Sequence, residues 1–135
     1  IPYFVIYLGA VRAGDTPYRI GNVGELCRFV RENPASGPIL SEWAGVPVLS
    51  GRETIPGLEF VGFDYPLPIP DSLKRHYHLP VNDNLKQLLR ERIPALYVVW
   101  TAPDKPLQQV ADSNYVVIKR FDSFVVYARK GSGLE

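Results

Sequence analysis

Six consecutive residues, Ala95–Trp100 (ALYVVW), are apolar without a break. Side chains alternate across a strand, so a strand apolar at every position has two faces to hide and must lie inside a sheet covered above and below. The text around it supplies covers. A helix starting at Asn82 or Asp83 sets Leu85, Leu88 and Leu89 on one side, and Pro94 turns the chain into the strand. A short helix over Pro106–Ala111 is expected next.

An earlier helical unit reads the same way. In GNVGELCRFVREN, Asn22 is placed to cap a helix with Glu25 returning the capping-box contact. Val23, Leu26, Cys27 and Val30 then share one apolar face, and Asn33 and Pro34 stop the helix before a strand at Ile39–Trp43. The C-terminal NYVVIKRFDSFVVYARK reads as a hairpin, Tyr115–Lys119 with Phe124–Arg129. Helix, short loop and strand in succession define an α/β fold: a layered sheet with a parallel central part, Ile39–Trp43 beside Ala95–Trp100, extended by the antiparallel C-terminal hairpin, with helices packed on the faces. With 135 residues, 46% of them apolar, one shared core is expected, over a single domain 1–135 with residues 22–130 as its core and 131–135 as a tail.

Between these units, Thr54–Pro80 gathers prolines among aromatics with no sustained period. It reads as a long connection holding one short helix, capped by Asp71 with Leu73 and Tyr77 facing inward; connections this long tend to be functional.

Several chemistries are disfavoured. The formal charge is +1 and the KR pairs do not grow into a basic run, so nucleic acid is not an expected partner. One cysteine, Cys27, forbids an internal disulfide and sits on the inner helix face, where an inert thiol is expected. Phosphate-cradling glycine loops and the G-x-S-x-G elbow are missing, so neither a catalytic residue nor a cofactor is assigned. His76 and His78 form an H-x-H pair without an evident third ligand, and no metal is expected there. Glu42, Glu53, Glu59 and Asp64 are candidate acid/base carboxylates that spacing alone does not bring together.

The stretch PILSEWAGVPVLSGRETIPGLEF carries the better candidate. In open α/β sheets ligands sit beyond the carboxyl ends of the strands, where Glu42 and Trp43 fall on one strand and Trp100, Thr101 and Asp104 on the other. An indole face beside carboxylates and an arginine suits a sugar, with apolar ring hydrogens on the indole and charged groups on the hydroxyls. Glu42, Trp43, Arg52, Tyr65 and Trp100 are the candidate contacts. The competing reading is structural: the two tryptophans close the core and Arg52 neutralises Glu42 or Glu53.

The chain begins at Ile1 and holds no methionine, which reads as a piece of a longer polypeptide. Its opening IPYFVIYLGA is too short to span a bilayer. Residues 1–21 are thus a first strand or a membrane-proximal segment, the latter if a span was trimmed. The order of parts, a helix ending RENP, the strand PILSEW, a helix-like AGVPVLSGR, then PGLE, a capped helix, the strand PALYVVW and the final SNYVVIKRFDSFVVYARK, resembles the soluble extracytoplasmic region that follows the last membrane span in GT-C class glycosyltransferases of the dolichyl-phosphate-mannose protein mannosyltransferase type. In that pattern Gly51 and Arg52 match the "GR" turn, and Tyr115, Phe124, Tyr127 and Arg129 match the final hairpin. The resemblance implies an accessory domain on the extracytoplasmic face of a membrane. Its partners would be the membrane-spanning part of the same polypeptide and a sugar or glycan acceptor. The catalytic aspartate of that class lies in an early loop between membrane helices, so none is implied here. The alternative is a free-standing α/β module that binds a small ligand or a protein.

Overall fold

The computed structural model describes residues 20–59, 70–77, 81–100 and 105–133. In chain order these form α1 (Ile20–Glu32), β1 (Ile39–Ser41), α2 (Gly45–Ser50), α3 (Asp71–His76), α4 (Asn82–Arg90), β2 (Leu96–Trp100), α5 (Lys105–Asn114), β3 (Tyr115–Arg120) and β4 (Phe124–Arg129). The sheet runs β1-β2-β4-β3, with β1 parallel to β2 and the remaining pairs antiparallel. This is the layered α/β architecture, with β2 inside the sheet as its unbroken apolar run requires. The hairpin folds so that β4, the more apolar of its strands, lies beside β2, leaving β3 at the edge with Lys119 and Arg120 exposed.

Alternation along the strands divides the core into two layers. Ile39, Leu96, Val98, Phe124, Val126 and Ala128 meet Leu26 and Val30 of α1 and Val46 of α2. On the other face Leu40, Tyr97, Val99, Val125 and Tyr127 meet Leu85 and Leu89 of α4 and Leu107 and Ala111 of α5. Burying each such leucine or valine contributes about 1.5–3 kcal/mol, so the two layers supply most of the gross stabilisation.

Three local expectations are corrected. Helix α1 begins at Ile20, so Asn22 lies within it; its amide donates to Asp122 Oδ2 at 2.7 Å and ties the helix to the hairpin turn in place of capping it. A capping-box pattern is local, whereas the carboxylate that engages Asn22 stands 100 positions away. Helix α3 has Pro70 at its N-cap and no side-chain cap from Asp71, and Leu73 and Tyr77 are 46% and 66% exposed. Six residues make too short a period to identify an inner face. Third, α5 runs past Ala111 to Asn114 and leads straight into β3, because Ser113 Oγ and the Asn114 amide bond back to the Gln109 and Val110 carbonyls. The opening segment 1–19, including both readings of Ile1–Ala10, lies outside the described residues. No helix among those described is long and apolar enough to cross a membrane.

Two of the left-handed backbone positions end helices. Gly51 (φ 68°) closes α2, its N–H turned back to the Val48 carbonyl, as helix ends commonly do. Arg92 (φ 55°) does the same after α4, where Arg92 N–H bonds Leu89 O and Ile93 N–H bonds Leu88 O in a Schellman arrangement. At that position a side chain is strained by about 1 kcal/mol relative to glycine.

Candidate functional site

Beyond its last ladder residue, β1 turns sharply. The Ser41 hydroxyl donates to the Trp43 carbonyl at 2.9 Å and accepts the Trp43 N–H at 3.2 Å, while Glu42 N–H still donates to Val98 O. This small serine-built turn sends consecutive side chains to different places. Glu42 reaches over the end of β2: one oxygen accepts the Trp100 N–H at 3.0 Å, the other the Tyr97 hydroxyl at 3.2 Å. A carboxylate therefore closes the parallel pair where the strand ladder stops.

The indoles lie on the α1/α2 side. Trp100 stacks on Phe124 with centroids 4.2 Å apart, and Trp43 tilts against the same ring at 6.2 Å. Trp43 also folds over Gly45, where a Cβ would collide with the indole. Glycine is required there because no side chain fits beneath the ring. Propped in this way, Trp43 lines one end of a groove of about 520 Å3 between α1 and α2, together with Val23, Gly24, Cys27, Arg28, Arg31 and Leu49. Arg31 is oriented by the α2 carbonyls of Leu49, at 2.6 Å, and Ser50, at 3.4 Å. The Cys27 thiol is buried, and burial pushes its pKa up against the opposing pull of Arg31, a state unsuited to nucleophilic attack.

Of the five candidate contacts, the structure brings Glu42, Trp43 and Trp100 to one end of the sheet. Arg52 lies at the other. Its guanidinium donates to the carbonyls of Asn33 (3.0 Å), Gly37 (3.2 Å), Val30 (3.4 Å) and Ala35, so it clamps the end of α1 and the loop entering β1. Those carbonyls have no helical partner, and a forked cation satisfies several at once. Tyr65, Thr101 and Asp104 lie outside the described residues, as do Asp64 and His78. His76 is exposed, packs edge-on against Tyr77, and belongs to no group of potential metal ligands among the described residues. Glu59 folds back to accept the Gly57 N–H at 3.0 Å, and its pKa is lowered by its own backbone N–H and by that of Gly57.

Sequence reasoning missed Arg28, Arg31 and Leu49 as groove residues. A signal was present: Arg28 and Arg31 stand three apart on α1, beside the apolar stripe, but nothing local says that α2 packs there. The groove can accept a flat apolar ring face against Trp43 while guanidinium groups donate to hydroxyl or anionic oxygens. Comparisons of the chain with protein-family models, curated proteins and solved structures return no match.

Proposed function

We propose that the chain is an accessory domain of a membrane glycosyltransferase that uses a polyprenyl-phosphate sugar, and that its own task is to hold or shape the sugar or glycan acceptor on the extracytoplasmic side. The reading rests on the resemblance in the order of parts. The single observation that supports it in the fold is the propped Trp43 indole facing an open groove edged by Arg28 and Arg31. The domain contributes no catalytic residue in this reading. Glu42, with both carboxylate oxygens occupied by Trp100 and Tyr97, builds the strand end that carries the two indoles.

Two measurements test it. Titration of the 135-residue chain with mannose and with a mannosylated peptide is expected to change tryptophan fluorescence saturably, at about millimolar Kd or tighter. In Trp43→Phe, which keeps a ring over Gly45, the response is expected to weaken and any remaining signal to come from Trp100. An unchanged titration in that variant removes Trp43 from the site. The parent polypeptide is expected to contain a series of apolar spans with an acidic residue in the first external loop. A parent without spans leaves the alternative, a free-standing binding module, and turnover of a sugar donor by the isolated chain contradicts both.

A further inference from the structure

At the amino end of the parallel strands lies a second concavity, about 510 Å3, to which Ser36, Glu91, Arg92, Arg129, Lys130 and Gly131 contribute. Three cations and one carboxylate line it, a surplus that suits a dianion. The cations come from separate stretches of chain and are held in place by backbone oxygens. Arg129 donates to Ser36 O at 2.7 Å, Lys130 Nζ to the Asp112 and Ser113 carbonyls at 2.8 and 3.1 Å, and Arg92 reaches Lys130 O at 3.5 Å. None of the three forms an ion pair with a carboxylate among the described residues. Glu91 itself accepts the Gln87 amide at 2.8 Å.

Two further features point to use of this concavity. Gly37, at φ 119°, leaves room for the Arg129 guanidinium, which would stand 3.3 Å from a Cβ at that position. Arg92 occupies the left-handed helix stop that glycine would fill with less strain, and its side chain lies on the pocket. Backbone strain retained beside a basic cavity has a functional explanation where the side chain has a ligand to bind.

We propose that this pocket binds a phosphate group. A phosphate presents several acceptor oxygens and up to two negative charges, which matches the two guanidinium groups, Arg92 and Arg129, that separate stretches of chain bring to one cavity, with the Lys130 ammonium turned to the end of α5. If the segment preceding α1 adjoins a membrane, as the proposed function has it, phosphate on a small soluble molecule fits better than a lipid headgroup, because α1 begins at the opposite end, where Asn22 meets the hairpin turn.

The test is NMR titration of the 135-residue chain with inorganic phosphate, following the Gly131 and Ser132 amides, beside flotation with phosphatidylglycerol vesicles and with phosphatidylcholine vesicles. Expected are saturable shifts confined to the pocket, with Kd of about 1 mM or tighter, and no vesicle binding. Arg92→Gly is expected to weaken phosphate about tenfold while melting no earlier than the parent, which separates lost binding from lost fold. Arg92-dependent binding to phosphatidylglycerol vesicles alone would retain the phosphate site and assign its source to a lipid. Absence of saturation in every arm, or equal affinity in Arg92→Gly, overturns the proposal. The outcome is independent of the Trp43 groove at the other end of the sheet.

Discussion

The two ends of the parallel strands solve the same problem with different chemistry. Both must satisfy backbone groups that no strand or helix partner reaches. At the carboxyl end a single carboxylate takes the leftover donor, Trp100 N–H, and two indoles, Trp100 stacked and Trp43 tilted against Phe124, shield the layer beneath. At the amino end the unpaired groups are carbonyls at the ends of α1 and α5 and in the loop entering β1, and guanidinium and ammonium groups from Arg52, Arg129 and Lys130 bind them. Charge sign follows from which backbone group is orphaned. An arginine and a carboxylate within one loop therefore need not share a site: Arg52 and Glu42 stand ten positions apart in sequence and serve opposite ends of the sheet.

The contrast makes the amino-end clamp the more sensitive of the two. Arg52→Ala strips four carbonyls of a shared donor and is expected to destabilise by about 3 kcal/mol in urea denaturation, and Arg52→Lys is expected to recover only part of that because an ammonium lacks the fork. At the other end Glu42→Ala leaves the Trp100 N–H and the Tyr97 hydroxyl without this acceptor, for a loss of about 2 kcal/mol; Glu42→Gln retains an acceptor and is expected to lose less than half as much. Equal effects at the two ends would break the comparison.

Smaller effects sharpen it. Tyr115 is buried beside the amino end, its hydroxyl donating to Pro94 O at 3.0 Å, and burial raises its pKa from 10.0 to about 12, with Arg129 and Arg92 opposing. The unfolded chain releases this proton first as pH rises. The stabilising contribution is thus complete below pH 10 and is lost between pH 10 and about 12. Tyr115→Phe is expected to lose about 1 kcal/mol at neutral pH and to flatten the decline across that interval, read from melting temperatures of the two proteins in parallel. Least in size, and opposite in sign, is Arg92→Gly, expected to raise stability by up to about 1 kcal/mol by removing the left-handed strain.

Much of the fold was legible because burial is periodic. ALYVVW announces an interior strand, the stripe Leu26, Cys27 and Val30 is buried in α1 as its spacing implies, and the hairpin pairs Tyr115–Arg120 with Phe124–Arg129. The errors fall where the decisive partner is distant or the segment short. Asn22 is diverted by Asp122, and α3 offers too few residues to show a face. The site was half legible for the same reason. Glu42, Trp43 and Trp100 could be gathered because strand ends in a parallel pair must coincide, whereas Arg52 follows a glycine-terminated helix whose direction no local pattern records.

Alternating and helical apolar spacing, with the glycines and prolines that stop each element, was enough to determine the α/β class, the parallel pair and the terminal hairpin, since each of these follows from how one segment hides its own apolar face. Tertiary structure alone decided which polar groups meet: that β4 and not β3 adjoins β2, that Arg52 clamps the entrance of β1, and that α2 lies against α1 to leave a groove under Trp43. Hydrophobic burial is non-directional and satisfied by many partners. A hydrogen bond needs one donor and one acceptor within about 3 Å, and only the assembled chain sets those distances.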